Sequence, residues 1–184
     1  MMRDLSMHVL DIAQNSIQAE AGEVVISLDI DEKRQLTLRI RDDGRGMEPE
    51  FLARVTDPFT TTRTTRKVGL GIPMLKQSAE LCGGTFAIHS QPGRGTDLTA
   101  TFDLTHIDCL PMGEMCDTLL TLILLNPQAP EFLFEASAPG RTATFDTRQV
   151  RQAVGGLPLN EPELAAWIKE AIEEEFKPIL EVPS

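Results

Sequence analysis

The chain has 184 residues, 41% hydrophobic and 24% charged, enough for one full core plus a small appendage. Its net charge of −11 argues against nucleic acid as the main partner, because binding there rests on neutralising phosphates. Three cysteines are too few for a disulfide framework, no signal peptide opens the chain, and the longest apolar run, Leu119–Leu125 broken only by Thr121, is too short to span a bilayer, so the chain reads as cytoplasmic and without a membrane partner.

Ser6 to Ala21 is predicted as a helix. Met7, Leu10, Ala13, Ile17 and Ala21 recur at three- and four-residue steps and form the expected buried stripe, with Gly22 as its stop. Asp11 and Asn15 are four apart and share a face. They suit polarising a water and ligating a hard cation, or they are simply a solvated polar face; the spacing alone leaves both open. His8 falls on or near the packed side and reads as structural.

Glu23–Asp31 and Gln35–Arg41 alternate as two strands of a hairpin. The second runs into Asp42-Asp43-Gly44-Arg45-Gly46-Met47. A carboxylate at a strand end can accept from an exocyclic amine such as that of adenine, and glycines let backbone approach a flat ring; an Asp-Gly turn alone also has this pattern. Glu48-Pro49-Glu50 opens a short helix to about Val55. Asp57 to Lys67 holds five threonines with Arg63, Arg66 and Lys67, a loop suited to a lid over a polyphosphate or merely a solvated one. Gly69-Leu70-Gly71-Ile72-Pro73 opens a helix to about Leu81, and such a turn presents free N–H groups to an anion. Thr85–Ser90 and Asp97–Leu104 are strands joined by a turn through Gly95-Thr96. There is no P-loop pattern, no G-x-S-x-G elbow and no complete dinucleotide fingerprint.

Beyond residue 105 the charge becomes strongly acidic: residues 1–105 carry −3 and residues 106–184 carry −8. Cys116–Leu125 is a strongly apolar helix or strand. Glu131–Ser137 and Arg141–Phe145 flank a hairpin turn, Asp146 caps a helix over Thr147–Val154, and a last helix starts at Asn160-Glu161-Pro162 with Leu164, Trp167, Ile168, Ala171, Ile172 and Phe176 as its apolar stripe. This part is expected to be a small α+β extension that packs on the preceding domain or presents a surface to a partner. His106, Cys109 and Cys116 match no standard zinc spacing and lack a fourth ligand; buried free cysteines are the better reading.

In their order, Asp11-x-x-x-Asn15, Asp42-x-Gly44-x-Gly46-Met47, Phe59-Thr60-Thr61-Thr62, Gly69-Leu70-Gly71-Ile72 and Gly95-Thr96 resemble the boxes of the GHKL ATPase superfamily. That group holds the ATP-binding domains of histidine kinases, gyrase, the chaperone HSP90 and the mismatch-repair protein MutL. The resemblance covers about residues 3–105 and is nearest the histidine-kinase branch. It implies an α+β fold of the Bergerat type, an α/β sandwich with a mixed sheet and helices on one face, binding ATP and Mg²⁺. By the same resemblance Asn15 would hold Mg²⁺, Asp42 would bind the adenine amino group, and Gly44 and Gly46 would let backbone pass the base, with Met47 in the same box. Gly69, Leu70 and Gly71 would flank the phosphates, Thr96 would lie near adenine, and Arg63, Arg66 and Lys67 would be lid contacts. Asp11 falls where hydrolysing members carry a glutamate base, one methylene longer.

In a sensor kinase a hairpin bearing the phosphoacceptor histidine precedes this domain, whereas here only Met1–Leu5 precede the first helix. The expectation is therefore a stand-alone domain, 1–105, with a 106–184 extension. It would phosphorylate or switch a separate protein, act as a serine-kinase or anti-sigma-like regulator, or sense ATP without turnover. DNA work of the gyrase or repair kind is disfavoured by charge. The oligomeric state is left open.

Overall fold

The computed structural model describes residues 2–57 and 70–181. The chain runs α1 (Leu5–Gln18), β1 (Glu23–Ile30), β2 (Gln35–Asp42), α2 (Pro49–Val55), α3 (Gly71–Leu81), β3 (Phe86–Gln91), β4 (Gly95–Asp103), α4 (Met115–Leu125), β5 (Glu131–Ala138), β6 (Arg141–Asp146), α5 (Thr147–Val154) and α6 (Pro162–Leu180). The strands form one six-stranded sheet in the order β3-β4-β2-β1-β5-β6. Among the described residues, only the β1–β5 pairing is parallel.

Strict alternation of side chains gives the sheet one buried and one open face. Ile26, Leu28, Leu38, Ile40, Ala100, Phe102, Phe132 and Phe134 are buried and meet α1, α3, α4 and α6. Arg39, Arg41, Asp29, His89 and Glu135 occupy the alternate positions and are exposed. Burying each of the larger apolar side chains contributes about 1.5–3 kcal/mol, so this single layer of contacts dominates the cohesion of the domain.

The helix periodicity predicts α1, and of its stripe Ala13 and Ala21 are buried while Leu10 and Ile17 pack on the edge of the core. The buried positions are Leu5, Ser6, His8, Val9, Ile12, Ala13 and Ser16, while Met7 is 39% exposed and Leu10 and Ile17 are half-buried. Both stripes have helical spacing, and the sheet selects the one that includes His8 and Ser16, whose Nε2 and Oγ pair with Ser78 and Asp42. Gly22 is not the stop. The helix ends at Gln18, Glu20 takes a left-handed φ of 58°, and the Gly22 N–H instead donates to Asp43. Asp4 caps the start, accepting from the Met7 N–H at 2.9 Å, and the loop after β4 receives the Leu5 and Ser6 N–H groups on Pro111 and Met112.

The apolar run at 115–125 is a helix. Met115, Cys116, Leu119, Leu122 and Ile123 are buried at helical spacing, between α1 and α6. Residues after 105 continue the first sheet: β5 lies parallel beside β1, with Phe132 opposite Val24 and Phe134 opposite Ile26, and one core spans both parts. In α6 the predicted stripe holds for Leu164, Ile168, Ile172 and Phe176, but Trp167 is 54% exposed. It lies one residue before Ile168, turned off the packed face.

Candidate functional site

A cleft of about 630 Å³ opens between α1, the β2–α2 loop, the start of α3 and the strand ends of β2 and β4. Its floor is Asp42, the last residue of β2 on the helix side of the sheet. Ser16 Oγ donates to Asp42 Oδ2 at 2.6 Å, and the Gly44 N–H donates to Asp42 Oδ1 at 2.9 Å. Both carboxylate oxygens are thus oriented by the protein while the group still faces the cleft. Ile12, Ile40, Met47, Phe51, Ile72 and Leu98 supply apolar walls. A flat aromatic base with an exocyclic amine matches this combination of walls and acceptor.

Thr96 stands directly opposite Asp42 across the β2–β4 ladder. Its hydroxyl is 2.9 Å from Ser90 Oγ, which also receives the Met47 N–H and contacts the Gly95 carbonyl at the same distance. Ser90 therefore ties the glycine-rich loop to the β3–β4 hairpin. The glycines of that loop serve protein–protein packing. A Cβ on Gly44 would come within 2.8 Å of the Ala19 carbonyl oxygen, and on Gly46, whose φ is +70°, within 1.9 Å of the Gln91 carbonyl oxygen. Close approach of α1 and the hairpin thus holds the loop in place, and Gly46 also lines the cleft.

Asn15 lines the cleft, and its amide nitrogen is sealed from solvent with no hydrogen-bond partner among the described residues. A buried amide left unpaired in an otherwise satisfied site fits a polar ligand group. Asp11, one turn earlier, is not on the cleft wall. It lies against Gly71, where a Cβ would meet Asp11 Oδ2 at 1.9 Å, and burial pushes its carboxyl above the usual range. Gly71 thus brings the N-terminus of α3 close to this acid. Leu70 is 46% exposed at the same corner. Arg63, Arg66, Lys67 and Gly69 lie outside the described residues.

The structure gathers Asn15, Asp42, Gly46, Met47 and Thr96 around one cleft, with Gly44 beneath Asp42. Sequence reasoning missed Ser16 and Ser90. Ser16 had a signal: once the stripe is Leu5, Val9, Ile12 and Ala13, a serine on it needs a partner. His8, fully buried, shares a hydrogen bond of 3.0 Å between its Nε2 and Ser78 Oγ, and burial lowers its pKa from 6.5. It is a packing residue between α1 and α3.

Fold and cleft together define an α/β-sandwich nucleotide-binding domain. Residues 3–106 match the family described as histidine kinase-, DNA gyrase B- and HSP90-like ATPase. The chain belongs to this family, and the matched region is its ATP-binding domain. It is 30% identical over 99 residues to sporulation kinase D of Bacillus subtilis, covering 53% of this chain and 19% of that protein. It is 26% identical over 120 residues to the cell-division control histidine kinase PdhS of Brucella abortus, covering 57% of this chain and 12% of that one. The chain thus spans a fifth or less of the length of these curated relatives. Among solved structures, the N-terminal domain of a DNA repair protein aligns with a TM-score of 0.53 at 15% identity, over 78% of this chain and 52% of that one. At that identity it shows the fold alone, and the shared fold takes in more of this chain than residues 3–106. Among the described residues, no helix is long and apolar enough to cross a membrane.

Proposed function

We propose that this chain binds Mg²⁺·ATP in the cleft and uses it to phosphorylate or switch a separate protein. The observation that carries the reading is the doubly held Asp42 carboxylate at the end of an apolar slot. In this reading Asp42 accepts from the adenine amino group, Met47, Ile72 and Leu98 pack on the base, and Thr96 closes its edge. The Asn15 amide oxygen would hold Mg²⁺, with the side chain reaching the cleft from α1. Bound Mg²⁺ would supply charge neutralisation on the phosphates. In this reading the N-terminus of α3, which starts at Gly71, would receive the phosphates on its free N–H groups. The resemblance assigns Arg63, Lys67 and Gly69, which lie outside the described residues, to the phosphate side.

Asp11 favours a second reading, an ATP-binding switch with slow or no turnover. It is short for the base position, packed against Gly71 and absent from the cleft wall. The two readings separate by following γ-phosphate in single-turnover reactions with and without candidate partner proteins. Radiolabel on a partner supports the kinase reading, tight binding with no loss of γ-phosphate supports the switch, and absence of adenine-nucleotide binding defeats both.

A further inference from the structure

We propose that the shallow concavity on the open face of the sheet, at the ends of β2, β3 and β4, is an oxyanion site for a phosphoryl or carboxylate group. It measures about 530 Å³ and lies behind the nucleotide cleft. Asp42 and Thr96 line both hollows, so two strand ends and the β3–β4 turn form the partition between them.

Hydrogen-bond partners divide the acids of this hollow from its cations. Each acid around this hollow already has a partner. Asp97 receives both the Nε and the Nη2 of Arg39, and this pairing pulls its carboxyl below the usual range. Glu23 is held by Arg148 at 2.8 Å. Asp43 accepts the Gly22 and Glu23 N–H groups at 2.8 and 2.9 Å, and Asp42 accepts from Ser16 Oγ and the Gly44 N–H. The cations are in the reverse condition. Arg41 and Arg94 both line the hollow, and neither makes an ion pair or a side-chain hydrogen bond among the described residues. Arg41 stands opposite Asp97 in the ladder, with His89 on the far side of Asp97. Two guanidinium forks with unused donors, beside an imidazole, match a phosphate or carboxylate.

The backbone that carries Arg94 is held in place. The Gly93 N–H donates to the Arg45 carbonyl at 2.7 Å, the Arg94 N–H to the Gln91 carbonyl at 3.0 Å, and Ser90 Oγ to the Gly95 carbonyl. The turn therefore does not have to be ordered by the ligand. The net charge of −11 opposes anions at long range, but screening confines that repulsion to roughly 8–10 Å, so short-range hydrogen bonds decide. The oxyanion is either a free small molecule or a phosphorylated side chain of a partner.

The test is a titration of the full chain, in excess ADP to occupy the nucleotide cleft, with inorganic phosphate, read on the side-chain Nε–H resonances of Arg41 and Arg94. The expected result is saturable movement of both, with affinity falling about tenfold or more in the Arg41→Gln/Arg94→Gln double variant and unchanged in Arg34→Gln, at the far end of the sheet. Phosphate affinity unaltered in the double variant overturns the site. So does identical movement in wild type with chloride at matched ionic strength, a comparison that stands even if the double variant does not fold. A parallel titration with capped phosphoserine separates the sources: about tenfold tighter binding than phosphate assigns a partner's side chain, and equal affinity a free anion.

Discussion

Ser16 and Asp42 are 26 residues apart, and a 2.6 Å hydrogen bond joins the buried face of α1 to the end of β2. That bond places a hydroxyl on a stripe otherwise built of Leu5, Val9, Ile12 and Ala13 and gives the cleft floor its orientation. Ser16→Ala is expected to weaken adenine-nucleotide binding about three- to tenfold, the worth of one hydrogen bond of about 1 kcal/mol. Asp42→Asn replaces an acceptor with a donor facing the base and is expected to cost about a hundredfold or more. Calorimetric titration with ADP reads both, and wild-type affinity in Asp42→Asn would sink the adenine assignment.

Asn15 is expected to separate metal from base. Asn15→Ala should leave metal-free nucleotide affinity near wild type and remove the gain on adding Mg²⁺, since its amide contributes nothing to the apolar walls. Titrations with and without EDTA check this, and a variant that still gains from Mg²⁺ would reassign the ligand.

The glycine loop makes a stability prediction. Gly46 and Gly83 both have positive φ, +70° and +75°, so alanine at either one pays a similar conformational cost of about 1–2 kcal/mol. Only at Gly46 does the new Cβ also strike backbone, the Gln91 carbonyl oxygen at 1.9 Å, whereas at Gly83 nothing lies within 4 Å. Gly46→Ala should therefore lower the melting temperature clearly more than Gly83→Ala. Equal shifts in thermal unfolding would show that the loop is not clamped by the β3–β4 hairpin.

His8 makes stability depend on pH. Burial lowers its pKa below 6.5, so the unfolded chain binds the proton first as pH falls. Its contribution is present in full above 6.5 and is lost as pH falls toward the lowered folded value. His8→Gln, which can keep a hydrogen bond to Ser78, should flatten the stability slope just below 6.5 in urea unfolding. An unchanged slope would place the titration elsewhere.

Asp11 works in the opposite direction. Burial raises its pKa, so the stability linked to its protonated form is present below the unfolded value of 3.8 and lost as pH rises through the folded one. Asp11→Asn is therefore expected to melt higher than wild type at neutral pH while still binding nucleotide. If that variant also abolishes phosphate release, Asp11 is the base despite its short side chain. If release is unchanged, its role is confined to the packing against Gly71.

Much of this was legible in the residues because it depends on local chemistry. Alternation in Gln35–Arg41, Pro49 at a helix start and Asp146 as a cap each act within one turn or one strand, and each appears where predicted. The order of the polar boxes pointed to the family, and the boxes within the described residues bring Asn15, Asp42, Gly46, Met47, Ile72 and Thr96 to one cleft. What only the tertiary structure decided was which of two helical stripes on α1 turns inward, that Leu119–Leu125 lies in a helix, and that Trp167 stays outside. A period of 3.6 is satisfied by more than one face, and only the sheet beneath selects among them. The same holds for β5 beside β1 and for Ser16 beneath Asp42: long-range pairings between segments with no shared local signal, set by burial once the sheet has formed.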